Sequence, residues 1–170
     1  MRKTVLLATV AVLSLPAAGE AQVSLLGAVG VTNPMSDLND VADVGWHAMA
    51  GMHLAIADLP VGLRADGAYH SFGEQGMNPA TNILSGALSL VVKFPGVGLS
   101  PYLLGGVGIY RTSADGSSFA TESDSGIHGA FGVDIGALDF GGFAEVRVVN
   151  VSTESAGNRR FVSATLGVRL

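Results

Sequence analysis

The stretch "RRFVSATLGVRL" runs from Arg159 to Leu170. Counted back in twos, Leu170, Val168, Leu166, Ala164 and Val162 are apolar, while Arg169, Gly167, Thr165, Ser163 and Phe161 between them are mostly small or polar. A period of two over this length is a β-strand with one apolar face. No polar tail follows it, so the strand is expected to close a sheet against another strand of the same chain.

The same pattern recurs upstream. Alternating segments of roughly ten to twelve residues are separated by turn chemistry, which is the signature of an all-β architecture. The segments are Val23–Thr32, Gly45–Ala57, Val61–Phe72, Thr81–Phe94, Pro101–Ser113, Gly126–Ala137, Phe140–Val151 and Arg159–Leu170. Two long uncharged stretches, 75–92 and 94–110, are poor helices: the first opens on turn residues and a proline, and the second carries two prolines and five glycines. The links alternate in length. "DLP" (58–60), "PGVGLS" (95–100) and "LD" (138–139) are short, whereas 33–44, 73–80, 114–125 and 152–158 are longer and polar. Successive antiparallel strands gather all the short links at one end, an asymmetry found in membrane barrels.

Composition agrees with this reading. The 170 residues suggest one domain. Hydrophobic residues make up 48% and charged residues 14%, about half the share usual in soluble domains. A net charge of −5 with no basic patch argues against a nucleic-acid partner. The absence of cysteine excludes disulfides and thiolate metal sites. "MRKTVLLATVAVLSLPAAGEAQ" has basic residues, an apolar run and small residues at the positions before a cleavage point, the three-part design of a secretory leader. The run is too short to span a bilayer. The expected organisation is a cleaved leader, 1–21, and one barrel domain, 22–170. Cleavage takes the formal charge from −5 to −6.

Alternation alone does not say which face points out, because a soluble lipocalin-like barrel alternates too. Three features favour an apolar exterior. The less apolar parity is mainly small, as in Ile83, Ser85, Ala87, Ser89, Val91 and Lys93, which suits a narrow eight-strand lumen. The apolar parity persists from strand to strand, as in Trp46–Ile56 and Ile127–Ile135, although the fifth strand is apolar on both faces. Aromatics on the apolar parity fall at strand ends: Trp46, Tyr69 and Tyr110 by the long links, and Phe94, Tyr102 and Phe140 by the short ones. Two such belts match the interfacial girdles of a lipid-facing wall.

On these features the chain resembles the small eight-stranded outer-membrane β-barrel proteins of bacteria, the type of OmpA's membrane domain, OmpX and Ail. The resemblance covers Gln22 to Leu170. It implies an eight-stranded antiparallel up-and-down transmembrane β-barrel in the outer membrane, monomeric, with both termini periplasmic. It also implies lipid around the barrel and the barrel-insertion machinery as a partner during biogenesis. In that family the last strand usually ends in an aromatic residue; here it ends in Leu170.

The inward parity is expected to carry His47, His53, Arg64, Asp66, His70, Lys93, Arg111, His128, Asp134, Glu145, Arg147 and Arg169. Buried charges need partners, so the three acids are expected to pair with bases in a network that plugs the lumen; an ion path is the competing reading. A two-residue turn at Asp58–Leu59 makes facing positions sum to 117, which sets His47 opposite His70 and His53 opposite Arg64. Two histidines lack a third ligand, so no metal or other cofactor is expected. His70 and Ser71 are adjacent and point to opposite faces. No serine and histidine two apart occur on a strand, which argues against an enzyme. Asp37, Asp40, Asp43, Glu74, Asp115, Glu122, Asp124 and Glu154 make the loops acidic without calcium-loop spacing, and offer a surface for an outside partner. The favoured reading is a non-catalytic barrel with a structural or surface-interaction role. The alternatives are a lipid-modifying barrel enzyme and a secreted soluble ligand-binding barrel.

Overall fold

A computed structural model describes residues 22–36, 38, 42–56, 58–74, 80–114, 123–136, 141–152 and 158–170. The leader lies outside these residues, as do Phe140 and the loop acids Asp37, Asp40, Asp115, Glu122 and Glu154. The eight expected strands are present: β1 (Gln22–Ser36), β2 (Ala42–Ala55), β3 (Val61–Glu74), β4 (Thr81–Lys93), β5 (Leu99–Ala114), β6 (Asp124–Ile135), β7 (Gly141–Ser152) and β8 (Asn158–Arg169). Each pairs antiparallel with its neighbours, and β8 returns to β1 to close the barrel. Leu170 continues that seam, its N–H donating to Leu25 O at 2.9 Å and its carbonyl accepting from Leu25 N–H at 2.8 Å.

The strands outrun their sequence limits at the long-link end. β1 passes through Pro34 to Ser36, and beyond Thr32 it pairs only with β8. Proline is tolerated there because its missing donor can lie on the unpaired side. The turn after β2 matches expectation. Asp58 takes the left-handed region (φ 62°), which aspartate tolerates, and Ala55 faces Gly62. His47 therefore faces His70, and His53 faces Arg64.

The side-chain distribution inverts that of a soluble protein. Leu88 is 64%, Leu166 67% and Met52 51% exposed, while Arg64 is 3%, Asp66 6% and Glu145 3% exposed. One strand departs from the expected parity. In β5, Tyr102 and Tyr110 are 1% and 3% exposed and point into the lumen, whereas Arg111 points out. The physical reason lies on the opposite parity to the one chosen. Gly106 and Gly108 share the face of the two tyrosines, and a narrow lumen takes the face with the gaps. Leu103, Val107 and Ile109 turn outward instead. Of the expected belts, Trp46, Tyr69 and Phe94 remain on the outside.

Candidate functional site

The lumen is the densest polar region among the described residues, and it is layered. By the long links an apolar cluster of Ala42, Phe72, Ile83, Tyr110, Val149, Val151 and Phe161 is completed by Leu38, from the segment after β1. The His47 and His70 rings lie next to it, stacked with centroids 5.1 Å apart, and His70 meets the edge of Phe161 at 4.8 Å.

A closed charge quartet lies in the lumen away from that cluster. Arg64 NH1 donates to Glu145 Oε2 at 2.7 Å, and its Nε is 3.3 Å from Asp66 Oδ2. Arg147 donates to both Asp66 oxygens, at 2.8 and 3.2 Å, and its Nε to Glu145 Oε1 at 3.1 Å. Tyr102 adds its hydroxyl to Glu145 Oε2 at 2.8 Å, and Arg64 lies over the Phe143 ring at 5.4 Å. Arg64 and Asp66 come from β3, Glu145 and Arg147 from β7. In a closed ring of eight these strands are opposite, so the quartet bridges the lumen from wall to wall. Two cations offset two anions, and each charge keeps a hydrogen-bonded partner, as a buried ion network requires.

Towards the short turns, Lys93 Nζ and Arg169 NH1 both reach Asp134 Oδ2 at 2.8 Å. Arg169 thus has a carboxylate partner. The acids pair with bases as the sequence implies, but Arg111 takes no part: it faces outward and its Nε donates to Ser123 Oγ at 2.9 Å.

Several long contacts skip a strand. Tyr102 of β5 crosses Gly132 of β6 to reach Glu145 of β7. His47 of β2 crosses Gly30 of β1 to put Nε2 3.0 Å from Thr165 Oγ1 of β8. His128 of β6 crosses Gly106 of β5 to put Nε2 2.7 Å from Ser89 Oγ of β4. A Cβ at Gly132 would fall on the Tyr102 ring, and one at Gly106 would run into Leu88 O and His128. Glycine on the middle strand is what lets each side chain lie flat across it. Such pairings join residues on different strands, so a serine and histidine two apart on one strand is not their signature, and Ser89 with His128 is of this kind. The signal was available, because a lumen-facing glycine marks where a neighbour's long side chain crosses.

The pair's chemistry is limited by its setting. Ser89 and His128 are 4% and 6% exposed, and His128 Nδ1 is buried without a hydrogen-bond partner among the described residues. A hydrolytic dyad orients its imidazole through that nitrogen. His70 and Ser71 face opposite sides of β3, as expected. Among the described residues, no group of three or more His, Cys, Asp or Glu side chains is placed to hold a metal ion.

No family model and no curated protein matches the chain. Solved structures do. Neisserial surface protein A (NspA) superposes with a TM-score of 0.76 at 17% identity, over 88% of this chain and 97% of that one. The fold is that of the small eight-stranded outer-membrane barrels. The outer membrane enzyme PagL matches with a TM-score of 0.56 at 16% identity, over 86% and 98% of the two chains. The outer membrane protein OprG from Pseudomonas aeruginosa matches with a TM-score of 0.52 at 14% identity, over 89% and 97%. At these identities the likeness is one of fold, and the fold serves an enzyme as well as proteins not described as enzymes.

Proposed function

We propose that the chain is a non-catalytic outer-membrane barrel with a structural or surface-interaction role. It is directed there by the leader 1–21 and inserted by the barrel-insertion machinery as a monomer, with Gln22 and Leu170 at the periplasmic side. One observation carries the reading: a continuous apolar exterior around a charged interior, on a closed barrel with no free strand edge. Such a surface is costly in water and suited to hydrocarbon, where every backbone group must be paired. The quartet and the apolar cluster with Leu38 act together as a plug, since the ion pairs hold the lumen closed and the cluster keeps water from one mouth. The acidic residues at the long-link end meet outside partners; of those expected in the loops, Asp43 and Glu74 instead stand at the strand ends, in β2 and β3.

Fractionation of washed cells tests this. The protein is expected to resist salt extraction, to dissolve in detergent, and to migrate differently on a gel before and after boiling. Release by salt alone would leave the soluble ligand-binding barrel as the better reading.

The enzyme reading has one specific observation behind it, the 2.7 Å Ser89–His128 contact. Its burial and the lack of an orienting group on His128 weigh against it. Ser89→Ala is expected to leave the acylation pattern of the cell's lipids unchanged. A shift in that pattern matching a gene deletion would make the chain a lipid-modifying enzyme.

A further inference from the structure

On the outward faces of β3 to β8, Arg111 and Arg160 are the only charged side chains among the described residues. In a chain of net charge −5, both are cations. Among the described residues each holds one polar neighbour: Arg111 Nε donates to Ser123 Oγ at 2.9 Å, and Arg160 Nε to Asn150 Oδ1 at 3.4 Å. Neither has a carboxylate within ion-pair distance among the described residues.

An apolar groove of about 650 Å³ lies directly beside them on the exterior. This is within the range of roughly 300–1,000 Å³ typical of ligand clefts. Gly86 leaves the gap that makes it, between Leu88, Val107, Ile109 and Ile127. One register row runs Leu88–Val107–Ile127–Asn150–Arg160, from mid-strand in β4 to near the long-link end of β8. Leu84 faces both Tyr69 and Arg111, so Arg111 lies at the same end of the barrel as the Trp46–Tyr69 pair, whose rings are 5.7 Å apart. Belts of this kind mark the headgroup level of a bilayer. The groove therefore descends from headgroup level into the acyl region, with hydroxyl and amide side chains of Ser125, Asn150 and Ser152 along its upper margin.

We propose that this surface binds one phosphorylated glycolipid of the surrounding leaflet, with an acyl chain in the groove and anionic groups on Arg111 and Arg160. The inference rests on the membrane reading above. Charge complementarity selects an anionic amphiphile. Arg160 shares its register row with Val107, four residues from Arg111, so the two backbones lie roughly 20 Å apart along the sheet at ordinary strand spacing and rise. The side chains lean towards each other, Arg111 onto Ser123 and Arg160 onto Asn150, which suits a wide headgroup with two phosphates on a rigid frame better than a single phosphodiester. The polar margin between the arginines suits sugar hydroxyls. Guanidinium–phosphate hydrogen bonds are charge-assisted and strong.

The test uses the whole barrel in detergent, first shown to be folded by its heat-modifiable migration and to enter phosphatidylcholine vesicles. Failure at that stage overturns the membrane reading and this proposal with it. Native mass spectrometry then measures retention of diphosphorylated lipid A, the same lipid with its phosphates removed, and phosphatidylglycerol. One diphosphorylated lipid is expected to be retained. Retention should fall at least about tenfold in R111Q/R160Q, a loss equivalent to about 1.4 kcal/mol, and similarly for the dephosphorylated lipid. Gly86→Leu should also weaken it by filling the groove; a Cβ there meets only Ile109 at 3.8 Å, and heat-modifiable migration checks that the variant is folded. With a folded, inserted barrel, unchanged retention in the double variant overturns the proposal. So does equal retention of phosphatidylglycerol.

Discussion

Glu145 accepts from Arg64, Arg147 and Tyr102, so its removal disturbs three lumen partners at once. Glu145→Gln leaves two guanidiniums facing the single carboxylate of Asp66. Removing one partner of a buried pair typically costs about 3–5 kcal/mol, and a urea titration of the vesicle-folded barrel is expected to show a loss of that order. Asp134→Asn supplies the contrast. Its side chain and those of Lys93 and Arg169 are partly exposed, at 15%, 33% and 17%, so water takes up much of the lost interaction and the loss should be clearly smaller. Gly132→Ala probes the same network from the wall. The new methyl displaces the Tyr102 ring and breaks its hydrogen bond to Glu145, for which overpacking costs of about 1–3 kcal/mol are usual. Gly129→Ala, whose Cβ meets only Leu104 O at 3.9 Å, should be nearly neutral in the same titration. A large loss there would show that glycine matters for chain flexibility and not for room.

Met52 of β2 and Val133 of β6 lie on outward faces towards the short-turn ends of their strands, so Arg at either should destabilise a lipid-facing wall by less than the roughly 2–4 kcal/mol expected at the bilayer midplane. Cysteine at either is expected to react poorly with water-soluble thiol reagents. β5 is checked separately: a membrane-soluble maleimide should label Val107→Cys and spare Leu104→Cys, and the reverse result would overturn its assigned parity. That strand also marks where reading from sequence fails. In the other strands one face is plainly apolar and a single period-two count orients it, and His47, His53, Arg64, Asp66, His70, Lys93, His128, Asp134, Glu145, Arg147 and Arg169 all point inward as that count implies. The two-residue turn at Asp58 even fixed the His47–His70 pairing. β5 is apolar on both faces, so hydrophobicity carries no orienting information there, and the position of Tyr102 and Tyr110 near the strand ends points to the belts although both rings face the lumen. What orients it is long-range. Tyr102 needs an acceptor for its hydroxyl and finds one on β7, two strands away, across a glycine. The Ser89–His128 contact was hidden for the same reason, since periodicity describes one strand at a time and these contacts span three.

Closure joins these local features into one molecule. Every strand has two neighbours only because β8 pairs with β1, from Leu26↔Arg169 to Ser36↔Arg159, with Leu170 bonded both ways to Leu25 beyond them. In hydrocarbon an unpaired backbone group costs several kcal/mol, so the last residues of β8 bear on the stability of the whole cylinder. Deleting Val168–Leu170 frees the backbone groups of Leu25, Leu26 and Gly27 on one edge. It also takes Arg169 from Asp134 and leaves β7 without its partner at Gly141 and Gly142. The truncated chain is expected to lose the compact, heat-modifiable form when refolded into vesicles. Side-chain loss is separable from backbone loss. Leu170→Ser keeps both hydrogen bonds to Leu25 and removes only an exposed apolar group, so it should refold to nearly the same extent as the parent. Leu170→Phe should refold equally in vesicles, because closure depends on the backbone seam. A failure of Leu170→Ser to refold in purified lipid would mean that the side chain itself, and not the seam, holds the barrel shut.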